Sequence, residues 1–240
     1  MVSHGKKLRQ FGPPCAQIQG LIYATGVGSL VGCSLETTDK GLVSAFVERW
    51  HRETSSFHLP IGEMTITLDD VSSLLHLPIT GAFYTYEGID SIGAVEKLVD
   101  LLGVRASEAR TEIQYNRGPN VRLSWLRDVY HSRCSAQQWN EAARAYLFHL
   151  VGCTIFANKS CTYIGVVWLE LFRDLDECSS YAWGAAALTH LYEQLNDASM
   201  QNTKQLAGYV SLLQVLKVLD AKLVLYVICH KLILIILIVN

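Results

Sequence analysis

From Gly41 the chain places Leu42, Phe46 and Trp50 four residues apart, the spacing of one helix face. Glu48/Arg52 and Arg49/Glu53 fall where opposite charges can pair along the exposed side. The period then shortens to two. Phe57 and Leu59 flank His58, Pro60-Ile61-Gly62 punctuates, and Met64 and Ile66 alternate with Thr65 and Thr67, which predicts a short β-hairpin. Thr67 stands as an N-cap with Asp70 three residues on, a shortened capping box. Leu68, Val71 and Leu75 then form an apolar stripe that Leu77-Pro78 must stop.

Helical periodicity dominates the rest of the chain. Asp90 caps a segment carrying Ile92, Val95, Leu98 and Leu102, closed by Gly103. Residues 104–120 are polar and Arg-rich, broken at Gly118-Pro119, and read as a mobile loop or a short helix with an exposed face. Ser135 with Gln138 makes a second capping box, opening a long helix through Trp139, Tyr146 and Val151 toward Phe156. "YIGVVWLELFRDL", "YAWGAAALTHLYEQLNDAS" and a stretch from near Lys204 to Leu216 continue the pattern. The expected fold is mainly α: a single multi-helix domain with one small β-hairpin near residues 57–67. Residues 1–40, with Gly12-Pro13-Pro14, read as a loosely ordered lead-in, 41–217 as the domain, and 218–240 as an atypical apolar C-terminal tail. From Leu223 to Val239 a helix would span ~25 Å, slightly under a bilayer's hydrocarbon thickness, with His230-Lys231 near the midplane. A poor tail anchor, a core helix and a core strand all fit, and membrane association is not expected.

Half of the chain is apolar, enough for a sizeable core, and Lys+Arg 20 against Asp+Glu 22 leaves a net charge of −2. Nucleic acid therefore has no global electrostatic case, and Lys6, Lys7 and Arg9 read as a solvated terminus. Seven cysteines without a C-x-x-C, and no secretory segment after Met1, point to reduced thiols inside a cell. His149 and Cys153 share a helix face but lack a second pair for a metal, so packing explains them. Gly26, Gly28 and Gly32 have the wrong spacing for a dinucleotide loop and read as turn glycines. A nucleophile elbow, H-E-x-x-H and a Walker loop are absent. Asp69-Asp70 read as helix-start acids and Asp174/Asp176/Glu177 as a solvated turn. No catalytic, cofactor-binding or metal-binding residues are assigned. "RLSWLRDVYHSR" reads as an amphipathic helix with a cationic side.

The string "LVSAFVERWHRETSSFHLPIGEMTITLDDVSSLLHLPITG" resembles the signature of the plant mobile domain family, also labelled aminotransferase-like. "LSWLRD", "RAYLFHLVGCTIFANKS", "LFRDLDE" and "YAWGAAALTHLY" are similar to its later half, so the resemblance spans about Leu42 to Gln214. The signature positions are Glu48, Arg49, Trp50, Phe57, His58, Pro60, Gly62, Glu63, Thr65, Thr67, Asp70, Tyr181, Trp183 and Gly184. They form either a partner surface or the structural heart; most are apolar, capping or turn-forming, which favours the latter. The resemblance implies a non-enzymatic nuclear protein-interaction domain in meristem maintenance, transposon silencing and gene regulation. A PP7-like phosphatase or a related family member is the implied partner. The alternative is a nucleic-acid-binding remnant of a transposable-element protein that uses the arginines between Arg105 and Arg133. After "GYVSLLQ" the resemblance ends, and the apolar tail points to an altered gene model.

Overall fold

The computed structural model describes residues 4–32, 40–60, 62–85, 88–159, 162–200, 206–208 and 212–213. The apolar tail and most of the helix predicted from Lys204 lie outside them. Four short elements lead in: helices α1 (His4–Phe11) and α2 (Ala16–Ala24), a 3-10 turn at Gly28–Val31 and helix α3 (Lys40–Glu48). Strands β1 (Trp50–His51), β2 (Ser56–Leu59) and β3 (Gly62–Met64) follow, then helices α4 (Leu68–Leu75), α5 (Ser91–Leu102) and α6 (Ala106–Tyr115). Strand β4 (Asn120–Arg122) leads into α7 (Leu123–Ser135) and α8 (Trp139–Cys153). Strand β5 (Tyr163–Gly165) precedes 3-10 segments at Val166–Phe172 and Glu177–Ser180, and α9 (Trp183–Ala198) completes the described elements. The fold is mainly α, as the periodicity predicts, with two small antiparallel sheets.

Helix α8 is the central post. From Ala142 to Cys153 every residue except Arg144 is buried, and α1, α2, α5, α7 and the 166–172 turn pack around it. A helix apolar on all sides can be satisfied only in the middle of a bundle. Arg144 escapes by donating from Nε to the Phe172 carbonyl (2.9 Å) and from Nη2 to that of Arg173 (3.0 Å). These are carbonyls that the short 3-10 helix leaves open at its end.

Several expectations are corrected. The predicted loose lead-in is built into the core: Ile18, Ile22, Val27 and Leu30 have no exposed surface, and Phe11 stacks on Tyr146 at 4.8 Å. Tyr146 also donates its hydroxyl to the Gly12 carbonyl, so the Gly-Pro-Pro turn is held from α8. Helix α3 stops at Glu48, because the Arg49 carbonyl accepts from His58 N (2.9 Å) and the chain turns into β1. Trp50 is thus a strand residue, and the Glu48/Arg52 and Arg49/Glu53 pairs do not share a helix. Residues 106–115 form a helix, the second of the two expected alternatives. Ser135 ends α7, bonding back to the His131 carbonyl, and does not cap α8. The "YIGVVWLELF" stretch is a strand and a 3-10 helix.

The expected hairpin is a three-stranded meander, with Trp50 opposite Phe57 and Phe57 opposite Met64. The capping box forms as read: Asp70 N donates to Thr67 Oγ1 (3.2 Å) and Thr67 N to Asp70 Oδ2 (2.8 Å). Thr67→Ala is expected to cost ~1 kcal/mol, read as a lowered urea midpoint with an unchanged slope.

Candidate functional site

Helix α9 reaches both signature blocks. At its start, Trp183 is buried and stacks on Phe172 with centroids 5.6 Å apart. Its Nε1 donates to the carbonyls of Cys178 (2.8 Å) and Thr25 (3.0 Å). Gly184 N donates to the Pro78 carbonyl (2.8 Å), and a Cβ there would lie 2.9 Å from Ile79 Cγ2 and 3.2 Å from Val71 Cγ1. Only a hydrogen lets α9 come this close to α4. Next to it Ala82 N donates to the Ser180 carbonyl (2.8 Å) and Ala182 N to that of Ala82 (3.1 Å). Gly81 makes this seam at φ +138, where a Cβ would stand 2.2 Å from the Ser180 oxygen.

Two turns further along α9, the first block docks. Trp50 is buried edge-on to Phe57 (4.8 Å), lies 5.0 Å from the Tyr192 ring, and donates from Nε1 to Asn196 Oδ1 at 2.7 Å. Tyr192 donates to the Ile66 carbonyl (2.6 Å) and lies 2.5 Å from Thr65 Oγ1. The structure therefore gathers Trp50, Phe57, Thr65, Tyr181, Trp183 and Gly184 along one helix, and Thr67 and Asp70 at the start of α4. Glu48, Arg49, Pro60, Gly62 and Glu63 are exposed instead. On that outer side His58 stacks on His51 with centroids 3.5 Å apart, and its Nε2 lies 3.0 Å from Glu63 Oε1.

Beside the seam lies an open groove of about 220 Å³ lined by Phe83, Tyr84, Phe156, Trp168, Tyr181 and His190, among others. Phe83 is 77% exposed at its edge, and Trp168 lies flat on Phe156 at 3.9 Å. Desolvation pushes the His190 pKa down, against its contacts with the Ala157 carbonyl and Glu193, so the imidazole is neutral at pH 7. The groove's wall is thus largely aromatic and uncharged except for Glu193 at the rim. Sequence reading missed it, because Phe83 and Tyr84 stand in an aperiodic turn; the aromatic cluster Phe83-Tyr84-Thr85-Tyr86 was its one visible signal.

The arginines read as a cationic side are partly spent internally. Glu112, 2% exposed, accepts from Arg122 Nε (3.0 Å), Nη2 (2.6 Å) and backbone N (2.8 Å), and from Asn116. Burial raises the Glu112 pKa, yet these bonds together hold it below the usual carboxylate range. Arg133 donates to Gln138. Cys15, Cys134, Cys153 and Cys178 are free thiols, and the His149–Cys153 pair is buried with Sγ 3.8 Å from Nδ1. Among the described residues no group of three His, Cys, Asp or Glu could hold a metal, and no helix is long and apolar enough to cross a membrane.

Comparison with known proteins identifies the family: the plant mobile domain model matches residues 26–218. The chain belongs to the plant mobile domain family. The match begins well before residue 41 and takes in Thr25's neighbour Gly26, whose Cβ would lie 3.3 Å from Trp183 Cδ1. The chain is 39% identical to Protein MAIN-LIKE 1 of Arabidopsis thaliana over 81% of its own length and 38% of that protein's. It is 39% identical to Protein MAINTENANCE OF MERISTEMS of the same plant, over 73% of this chain and 36% of that one. The Arabidopsis serine/threonine-protein phosphatase 7 long form homolog is 33% identical over 73% of this chain but only 13% of its own. The chain thus spans well under half the length of these relatives. No solved structure matches it.

Proposed function

We propose that this domain is a non-enzymatic protein-interaction module of the nucleus, serving meristem maintenance, transposon silencing and gene regulation. Its partner is a related family member or a PP7-like phosphatase. The observation that carries the reading is the groove beside the seam: an aromatic recess with Phe83 standing out at its edge, the make-up of an interface anchor. The relatives support it. One is named for meristem maintenance and another as a phosphatase homolog of which the matched region is a small part, so the same unit is joined to different surroundings.

Phe83→Glu tests this. The variant is expected to keep wild-type circular dichroism while its binding to the phosphatase 7 long form homolog, or to a MAIN-like protein, falls at least tenfold in titration calorimetry, about what truncating one interface anchor costs. Unchanged affinity for whichever of these the wild type binds, or binding of neither, sinks the groove as the docking site. The nucleic-acid reading predicts instead that DNA or RNA is retained and released as salt rises, independently of Phe83.

A further inference from the structure

A second, larger pocket, about 480 Å³, opens where α1, α6, the start of α7 and α8 meet. Lys7, Arg122 and Arg127 line it with Tyr115, Ser124 and His149, and no carboxylate is among its lining residues. Glu112 lies behind it, bound to Arg122, and Asp128 lies 3.7 Å from Arg127 Nε, so positive charge exceeds negative around the mouth. Helix α7, thirteen residues long, begins in this pocket without a side-chain cap from Arg122. Arg122 N is bonded to Glu112 and Leu123 N to the Thr162 carbonyl, so the amides of Ser124 and Trp125 are what its positive end offers to whatever enters.

The second observation is independent of that helix end. His149 is 3% exposed yet forms part of the wall. Its Nδ1 has the Cys153 thiol at 3.8 Å, and its Nε2 has no hydrogen-bond partner among the described residues. In the tautomer that lets the thiol donate to Nδ1, the proton sits on Nε2 and makes it a donor on the pocket wall. Desolvation first, then the charges of Lys7 and Arg127, push the His149 pKa down to about 3, so the ring is neutral at pH 7 and donates only one proton.

We propose that this pocket binds a small-molecule phosphate monoester, its phosphoryl group at the start of α7 between Lys7 and Arg127 and its oxygen accepting from His149 Nε2. Donors converging from a helix end, two cationic side chains and an imidazole suit a tetrahedral dianion better than a planar carboxylate. The volume exceeds what a phosphate alone fills and falls within the range of small-ligand pockets, leaving room for an organic body. A nucleic-acid strand would need a basic track, whereas here the cations are gathered at a single recess. The site shares no lining residue with the aromatic groove and does not depend on the partner reading.

The test uses the whole chain at pH 7.5 and constant ionic strength, titrated with inorganic phosphate, with adenosine 5′-monophosphate and with an oligonucleotide lacking terminal phosphates. The ring resonances of His149 are followed by NMR. Phosphate and the mononucleotide are expected to shift them saturably. Lys7→Gln/Arg127→Gln is expected to weaken both at least tenfold, the equivalent of about one charge-assisted bond. Arg110→Gln, on the exposed side of α6, leaves both unchanged. Unmoved His149 resonances, wild-type affinity in the double variant, or a response to the oligonucleotide alone each overturns the proposal.

Discussion

Glu112→Gln is expected to destabilise the domain by ~3 kcal/mol at pH 7, the lower end of what breaking a buried ion pair costs, because Arg122 keeps some contact with water. The carboxylate is the hub of four donors: two guanidinium nitrogens and the backbone amide of Arg122, and the Asn116 side chain. An amide is isosteric but must turn its NH₂ toward one of them, leaving a donor facing a donor in a dry site. The bond to Arg122 N also fixes the first turn of α7 to α6, so the loss reaches the helix packed along α8. The pH dependence has a definite sign. The folded-state pKa of Glu112 lies below its unfolded value, so its contribution is complete above the unfolded value and is lost as pH falls through the folded one. Glu170, held low chiefly by Arg173 against an opposing burial effect and further by Lys97, adds a loss of the same sign. The quantity to follow is therefore the difference between wild type and variant in urea denaturation. It should be largest near neutrality and shrink in acid; a difference constant from pH 7 to pH 3 would show that the charge on Glu112 contributes nothing.

What could be read from the sequence was what local chemistry decides. Thr67 with Asp70, and Asp90 with Gly103, announce helix ends because the bonds that cap them span three or four residues. Ser135 with Gln138 has the same spacing and failed, since a hydroxyl can also bond backward within its own helix, as Ser135 does to His131. The lead-in was misjudged for a different reason. Ile18, Ile22, Val27 and Leu30 are separated by glycines, and α8, on which the α2 residues Ile18 and Ile22 pack, begins more than a hundred residues away. Helix α6 was ambiguous because its core side includes Glu112, a charge that periodicity scores as exposed. The signature was legible as a string, but the helix that explains it was not. Trp50 and Thr65 are polar-aromatic positions in a meander until Asn196 and Tyr192 are seen beside them. The groove needed coordinates altogether, being assembled from a turn, a 3-10 segment and α9.

Trp183 makes that long-range dependence testable. Trp183→Ala is expected to cost ~3–5 kcal/mol, the range for truncating a fully buried Trp, since the ring packs on Phe172 and lies where a Cβ on Gly26 would touch it. Trp183→Phe keeps most of the ring but removes the donor shared by the Cys178 and Thr25 carbonyls, and is expected to cost ~1–3 kcal/mol for acceptors left unpaired in the core. The two variants should differ in size but agree in where the damage appears. Because the Thr25 carbonyl belongs to the turn after α2, weakening Trp183 releases the amino-terminal helices together with α9. Amide exchange is expected to speed up in α2, around Ile22, in parallel with the first turns of α9. If α2 kept its full protection while α9 lost its own, the first thirty residues would be an independent unit resting on the domain. If both loosen together, those residues are part of the cooperative fold, and a domain cut at residue 41 would not stand without them.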